Sequence, residues 1–84
     1  MQDVGSINEV PLSIREVIKK ALFKGATSII IAHNHPKRDP APSENDIAIT
    51  KRLSSACSNV DIQLIDHVIV TGDNYFSFYK NGLL

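Results

Sequence analysis

The sequence predicts an α/β domain. Three observations predict it: two stretches carry helical apolar periodicity, short β-branched runs follow each of them, and Pro- or Gly-rich turns separate the pieces. A short strand is expected first, around Ser6 to Glu9. The first helix opens at Ser13, an N-cap residue followed three positions later by Glu16 in the capping-box spacing. Ile14, Val17, Ile18, Ala21 and Leu22 then share one face, Arg15, Lys19 and Lys20 face away, and Gly25 supplies the stop. Thr27 to Ala32, built on Ile29, Ile30 and Ile31, is too short for a buried helix and reads as a central strand.

From Asn34 to Pro42 the chain holds Pro36, Pro40 and Pro42 among charged residues, and proline without an N–H donor suits neither ladder nor helix interior. This is a loop. Ser43 caps a second helix whose apolar face is Ile49, Leu53, Ala56, Cys57 and Val60. Ile62 to Val70 reads as a strand interrupted by Asp66 and His67, Gly72-Asp73-Asn74 as a turn, and Tyr75 to Tyr79 as the strand that closes a hairpin.

At 84 residues the chain is one small domain, of a size that buries about 60 to 65% of the surface its unfolded form exposes. A hydrophobic share of 43% with 21% charged residues excludes disordered and collagenous classes. Nine basic residues balance nine acidic ones, so no basic stripe supports nucleic-acid binding. The single cysteine, Cys57, closes no intrachain disulfide, which points to a reducing, cytoplasmic setting; on an apolar helix face it is expected to be buried and inert. No apolar stretch approaches the roughly 20 residues that span a bilayer, so no membrane association is expected.

Chemistry concentrates around the proline-rich loop. Side chains alternate along a strand, so His33 and His35 point to the same side where the central strand runs out. Asp46, in the first turn of the second helix, can be folded back over that strand end. Two imidazoles and a carboxylate are the donor set of a catalytic zinc site, which keeps its fourth position open. A His-x-His pair alone is more often solvated, and Ser43-x-x-Asp46 alone is explained as a capping box; the combined spacing with Pro36 favours a metal site. Asp66 and His67, adjacent on a strand, face opposite sides and are expected to play a polar supporting or core-edge role rather than to ligate one ion together. Lys37 and Arg38 offer weak contacts for an acidic substrate but are most simply solvated loop charges.

These residues carry a resemblance. His33-Asn34-His35-Pro36, six residues, Ser43, two residues and Asp46 resemble the JAMM motif of JAB/MPN-domain metalloproteins. The surrounding Asp39-Pro40, Pro42-Ser43, Asp46-Ile47-Ala48, Thr50-Lys51, Asp66-His67 and Ser77-Phe78 are similar more narrowly to the bacterial RadC family, over nearly the whole chain. The resemblance implies a cytidine-deaminase-like fold with a mixed sheet flanked by helices. It implies Zn2+ held by His33, His35 and Asp46, Ser43 as hydrogen-bond donor to the oxyanion of an attacked amide, and a protein or peptide substrate.

That motif also includes a Glu on a strand upstream of the first His. Nothing suitable precedes Ser6, and Glu9 falls after the position of that strand, so the role is not assigned to it. The chain is accordingly expected to be a truncated member lacking the amino-terminal strands of the sheet. Two functions compete: a zinc-dependent hydrolase of peptide or isopeptide bonds, and a catalytically inactive interaction module of the MPN type. The Glu separates them. DNA repair finds no physical support in a neutral chain. An unpaired sheet edge would invite a second copy, so a homodimer is one expectation.

Overall fold

The computed structural model describes residues 2–8, 13–36 and 38–84, the first of these segments by its backbone alone. The elements run β1 (Gln2–Asn8), α1 (Ile14–Lys24), β2 (Ser28–Asn34), α2 (Glu44–Asn59), β3 (Gln63–Val70) and β4 (Tyr75–Ser77). They form one mixed sheet in the order β1-β2-β3-β4, parallel across β1, β2 and β3 and antiparallel from β3 to β4. Each helix connects neighbouring parallel strands, and right-handed crossovers in the same direction put both on one face of the sheet. Among the described residues, no helix is long and apolar enough to cross a membrane.

Local chemistry sets the helix ends. Ser13 Oγ accepts the Glu16 N–H at 3.2 Å, and Gly25 adopts the left-handed conformation (φ 67°) that lets Ala26 donate back to the Ala21 carbonyl at 2.9 Å. At α2 the box is reciprocal: Asp46 N–H donates to Ser43 Oγ at 3.0 Å, and Ser43 N–H donates to Asp46 Oδ2 at 2.9 Å. The main core lies between helices and sheet, with Ala21, Ile29, Ile31, Leu53, Cys57, Ile62 and Leu64 buried and Ile14, Val17, Ile18 and Ala26 packed against them. Cys57 is fully buried, and burial pushes its thiol pKa up, as its place on the apolar face implied.

Several boundaries depart from the sequence expectation. The first strand runs Gln2–Asn8 rather than from Ser6, and Glu9 lies outside the described residues. β2 continues through His33 to Asn34 because its parallel partner β3 keeps pairing there, and the His35 N–H still reaches the Val70 carbonyl at 2.8 Å. β4 stops at Ser77, where the chain turns and Asn81 and Leu83 donate back to Ser77 and Phe78. Leu22 and Val60 are exposed, since each helix buries only the narrow stripe that meets its neighbours. Thr50, instead, is fully buried on α2.

The pairing of β2 with β3 contains one irregularity. Ile29 pairs with Leu64 but Ile30 pairs with Asp66, so Ile65 is an extra residue on β3. Such a bulge inverts the alternation downstream. After Leu64 the buried positions are His67 and Ile69, while Asp66 and Val68 are only half-buried. The bulge therefore turns the imidazole of His67 toward α2 and sends the carboxylate of Asp66 the other way.

Candidate metal centre

β2 ends under the amino terminus of α2, which brings His33, His35 and Asp46 together. One ligand atom from each lies within 4.8 Å of the others, and all three side chains are half-buried. The two imidazoles meet edge to face with centroids 5.1 Å apart. His35 Nε2 stands 3.7 Å from Asp46 Oδ2, the oxygen that also takes the Ser43 N–H. A single carboxylate thus ties the helix cap to the strand-end histidines. Arg38 is exposed on the intervening loop, and Lys37 lies outside the described residues.

The electrostatics suit a cation. Burial would raise the pKa of Asp46, but hydrogen bonding by the Ser43 backbone and hydroxyl and the charges of His33 and His35 outweigh it and hold the carboxyl below its usual range. Burial lowers the pKa of His33; Asp46 works against that shift and His35 adds to it. Both shifts, Asp46 toward the ionised carboxylate and His33 toward the neutral ring, favour the forms that metal ligation requires. His35 Nδ1 is buried and, among the described residues, has no hydrogen-bond partner. Buried polar atoms are normally satisfied, and this one is the second nitrogen of a ring whose Nε2 is the atom that faces Asp46. Two imidazoles and one carboxylate, gathered this closely, could hold a metal ion.

Behind His33 stands His67, only 1% exposed, its ring stacked on Phe78 with centroids 4.7 Å apart and planes 7° from parallel. His67 Nε2 is 2.8 Å from His33 Nδ1, and His67 Nδ1 is 2.7 Å from Thr50 Oγ1. Burial, with smaller contributions from neighbouring charges, depresses the pKa of His67 to about 4. Asp66 is engaged on its own side: Oδ2 accepts from Ser77 Oγ at 2.5 Å and Oδ1 from the Tyr79 N–H at 2.9 Å. The two residues thus face opposite sides, as their adjacency on a strand predicts, with His67 against His33 and Asp66 against Ser77 and Tyr79. Thr50 was not among the residues the sequence singles out for chemistry. A small polar residue in the run between Ile49 and Leu53 was the only available signal.

Comparison with known proteins matches residues 1–83 to the RadC-like JAB domain. The chain is 48% identical over 80 residues to the UPF0758 protein YeeS of Escherichia coli, covering 95% of this chain and 54% of that protein. It is 49% identical over 80 residues to a UPF0758 protein of Neisseria meningitidis serogroup B and 45% identical over 80 to one of Coxiella burnetii, covering 95% of this chain and 36% of each. The chain therefore spans about a third to a half of the length of these relatives. Over almost all of its length, this chain belongs to the RadC-like JAB domain family.

Proposed function

We propose that His33, His35 and Asp46 hold one zinc ion and that the domain is a zinc-dependent hydrolase of the metallopeptidase type, acting on peptide or isopeptide bonds of a protein substrate. The observation that carries this reading is the convergence of the three donors within 4.8 Å from a strand end and a helix start, in a motif otherwise read as surface histidines and a helix cap. When bound, zinc would supply Lewis acidity toward a carbonyl and an activated water near neutral pH. The chain's own residues would do the rest. Asp46 and the two histidines orient the site. In the cap Ser43 Oγ is used as an acceptor, so its O–H is left to donate where negative charge develops on an attacked carbonyl oxygen.

One observation favours a second reading, an MPN-type interaction module that binds metal without hydrolysis. Among the described residues, the cluster holds a single carboxylate, Asp46, and no second one joins it to carry a proton to the leaving amine. Such a group contributes about 100- to 10,000-fold in hydrolytic enzymes.

The test is elemental analysis of purified protein, followed by assays on unstructured and isopeptide-linked substrates. About one zinc per chain is expected, lost in the His33→Ala/His35→Ala double variant. Equal metal content in parent and double variant would refute the centre. Zinc uptake without turnover would select the interaction module. Turnover that survives Ser43→Ala, after allowance for about 0.5–2 kcal/mol of lost capping, would remove Ser43 from the chemistry.

A further inference from the structure

Two buried side chains outside the proposed ligand set touch it from behind. Thr50 Oγ1 lies 2.7 Å from the backbone carbonyl oxygen of Asp46 and 2.7 Å from His67 Nδ1, and His67 Nε2 lies 2.8 Å from His33 Nδ1. Four groups therefore form one chain of short hydrogen bonds. It starts at the backbone of one proposed ligand and ends on the ring of another.

The direction of that chain follows from counting protons. A hydroxyl has one, and a carbonyl oxygen can only accept, so the Thr50 proton goes to Asp46. Thr50 Oγ1 then meets His67 as an acceptor, and His67 must carry its proton on Nδ1. With 1% exposure, and with its ring nitrogens bonded to a hydroxyl and an imidazole rather than to a carboxylate, His67 is the neutral ring. Its Nε2 is then bare and accepts from His33, which must carry its own proton on Nδ1. The opposite order would point the lone pairs of Thr50 at the Asp46 carbonyl at 2.7 Å. It would also leave His33 protonated on Nε2.

We infer that Thr50 and His67 are positioning residues whose hydrogen bonds fix His33 as the Nδ1–H tautomer, leaving Nε2 as its one nitrogen with a lone pair for a metal. This rests on the proposed metal centre for its purpose, though not for its geometry. The outward hydrogen bond of a ligating imidazole sets both its tautomer and its ring orientation, and loss of such a partner typically weakens metal affinity about 10- to 100-fold. Here the partner is itself a histidine, oriented by a threonine and held in place by Phe78. The Ile65 bulge is what delivers it, since an unbroken strand would have presented Asp66 instead.

The tautomers are read directly from imidazole nitrogen NMR of the chelator-treated protein near neutral pH, with no metal present. Wild type is expected to show His33 and His67 both protonated on Nδ1. In Thr50→Val, which keeps the shape and removes the hydroxyl, His67 Nδ1 loses its acceptor. Its proton is expected to move to Nε2, and that of His33 to Nε2 as well. Zinc affinity, measured by competition with a chromophoric chelator, should fall about 10- to 100-fold. Thr50→Ser keeps the hydroxyl and should restore both readings. A purely structural role would lower the melting temperature of Thr50→Val without moving either tautomer.

Wild-type His33 protonated on Nε2 overturns the inference without any variant, as does a Thr50→Val protein with unchanged tautomers and affinity. Wild-type protein with the expected tautomers that takes up no zinc overturns the metal centre, and with it the purpose but not the proton order of the relay.

Discussion

Acidifying the metal-free protein should unfold it through His67. This ring is 1% exposed and its pKa is depressed from 6.5 to about 4, first by burial. The sign follows from which state binds the proton more readily. Between about pH 6.5 and 4 the unfolded chain takes it up and the folded chain does not, so folding stability falls as pH falls through that window. Above 6.5 both states leave the ring neutral and there is no penalty. Below 4 the penalty is complete, at about 3 kcal/mol. His33, also lowered by burial, acts in the same direction. For a domain of this size that loss corresponds to a fall in melting temperature of roughly 12–24 °C. Thermal unfolding followed by circular dichroism in chelator, at steps from pH 7 to 4.5, measures it. His67→Phe supplies the control. The replacement ring can stack on Phe78 and does not titrate, so the variant should start less stable but show a much shallower slope. If wild type and His67→Phe lose stability in parallel over that range, the assignment of the acid sensitivity to His67 is wrong.

Two further perturbations separate the site from the scaffold. Asp46→Asn keeps an oxygen to accept the Ser43 N–H but removes the charge; it should cost about 0.3–1 kcal/mol of stability at the helix amino terminus in urea denaturation, yet abolish zinc uptake in elemental analysis. Stoichiometric zinc in that variant would mean that Asp46 is not a ligand. Leu53→Ala empties a fully buried position in the main core, away from the ligands. It should cost about 2–5 kcal/mol by the same denaturation assay; a loss below 1 kcal/mol would show that α2 does not rest on this contact.

Much of the scaffold was legible because local chemistry and tertiary packing agree in it. The Ser13 and Ser43 caps, the Gly25 stop and the β-branched run at Ile29–Ile31 each have a physical reason within a few residues, and each lies where that reason puts it. What local pattern does not contain is the width of a helix's contact stripe. Leu22 and Val60 continue an apolar periodicity that the neighbouring layer does not reach, whereas Thr50 breaks it and is buried because its hydroxyl has two partners. Strand lengths are not legible locally for a related reason. A parallel strand ends where its neighbour stops pairing, and that is a property of β3 rather than of the residues of β2.

The candidate cluster and the residues packed behind it differ in legibility for the same physical reason. His33, His35 and Asp46 are linked by strand alternation and a short loop, so spacing alone suggests that they meet. The support given by His67 depends on the phase of β3, and one extra residue reverses that phase. Counted from Leu64 without a bulge, Asp66 would face α2 and place a buried carboxylate against the Thr50 hydroxyl. With Ile65 inserted, the neutral ring goes inward. Asp66 is then free to collect Ser77 Oγ and the Tyr79 N–H at the turn after β4. The bulge thereby serves both sides of the sheet. It gives His33 a polar partner that burial keeps neutral, and it anchors the short final strand through a carboxylate that would be costly on the inner face.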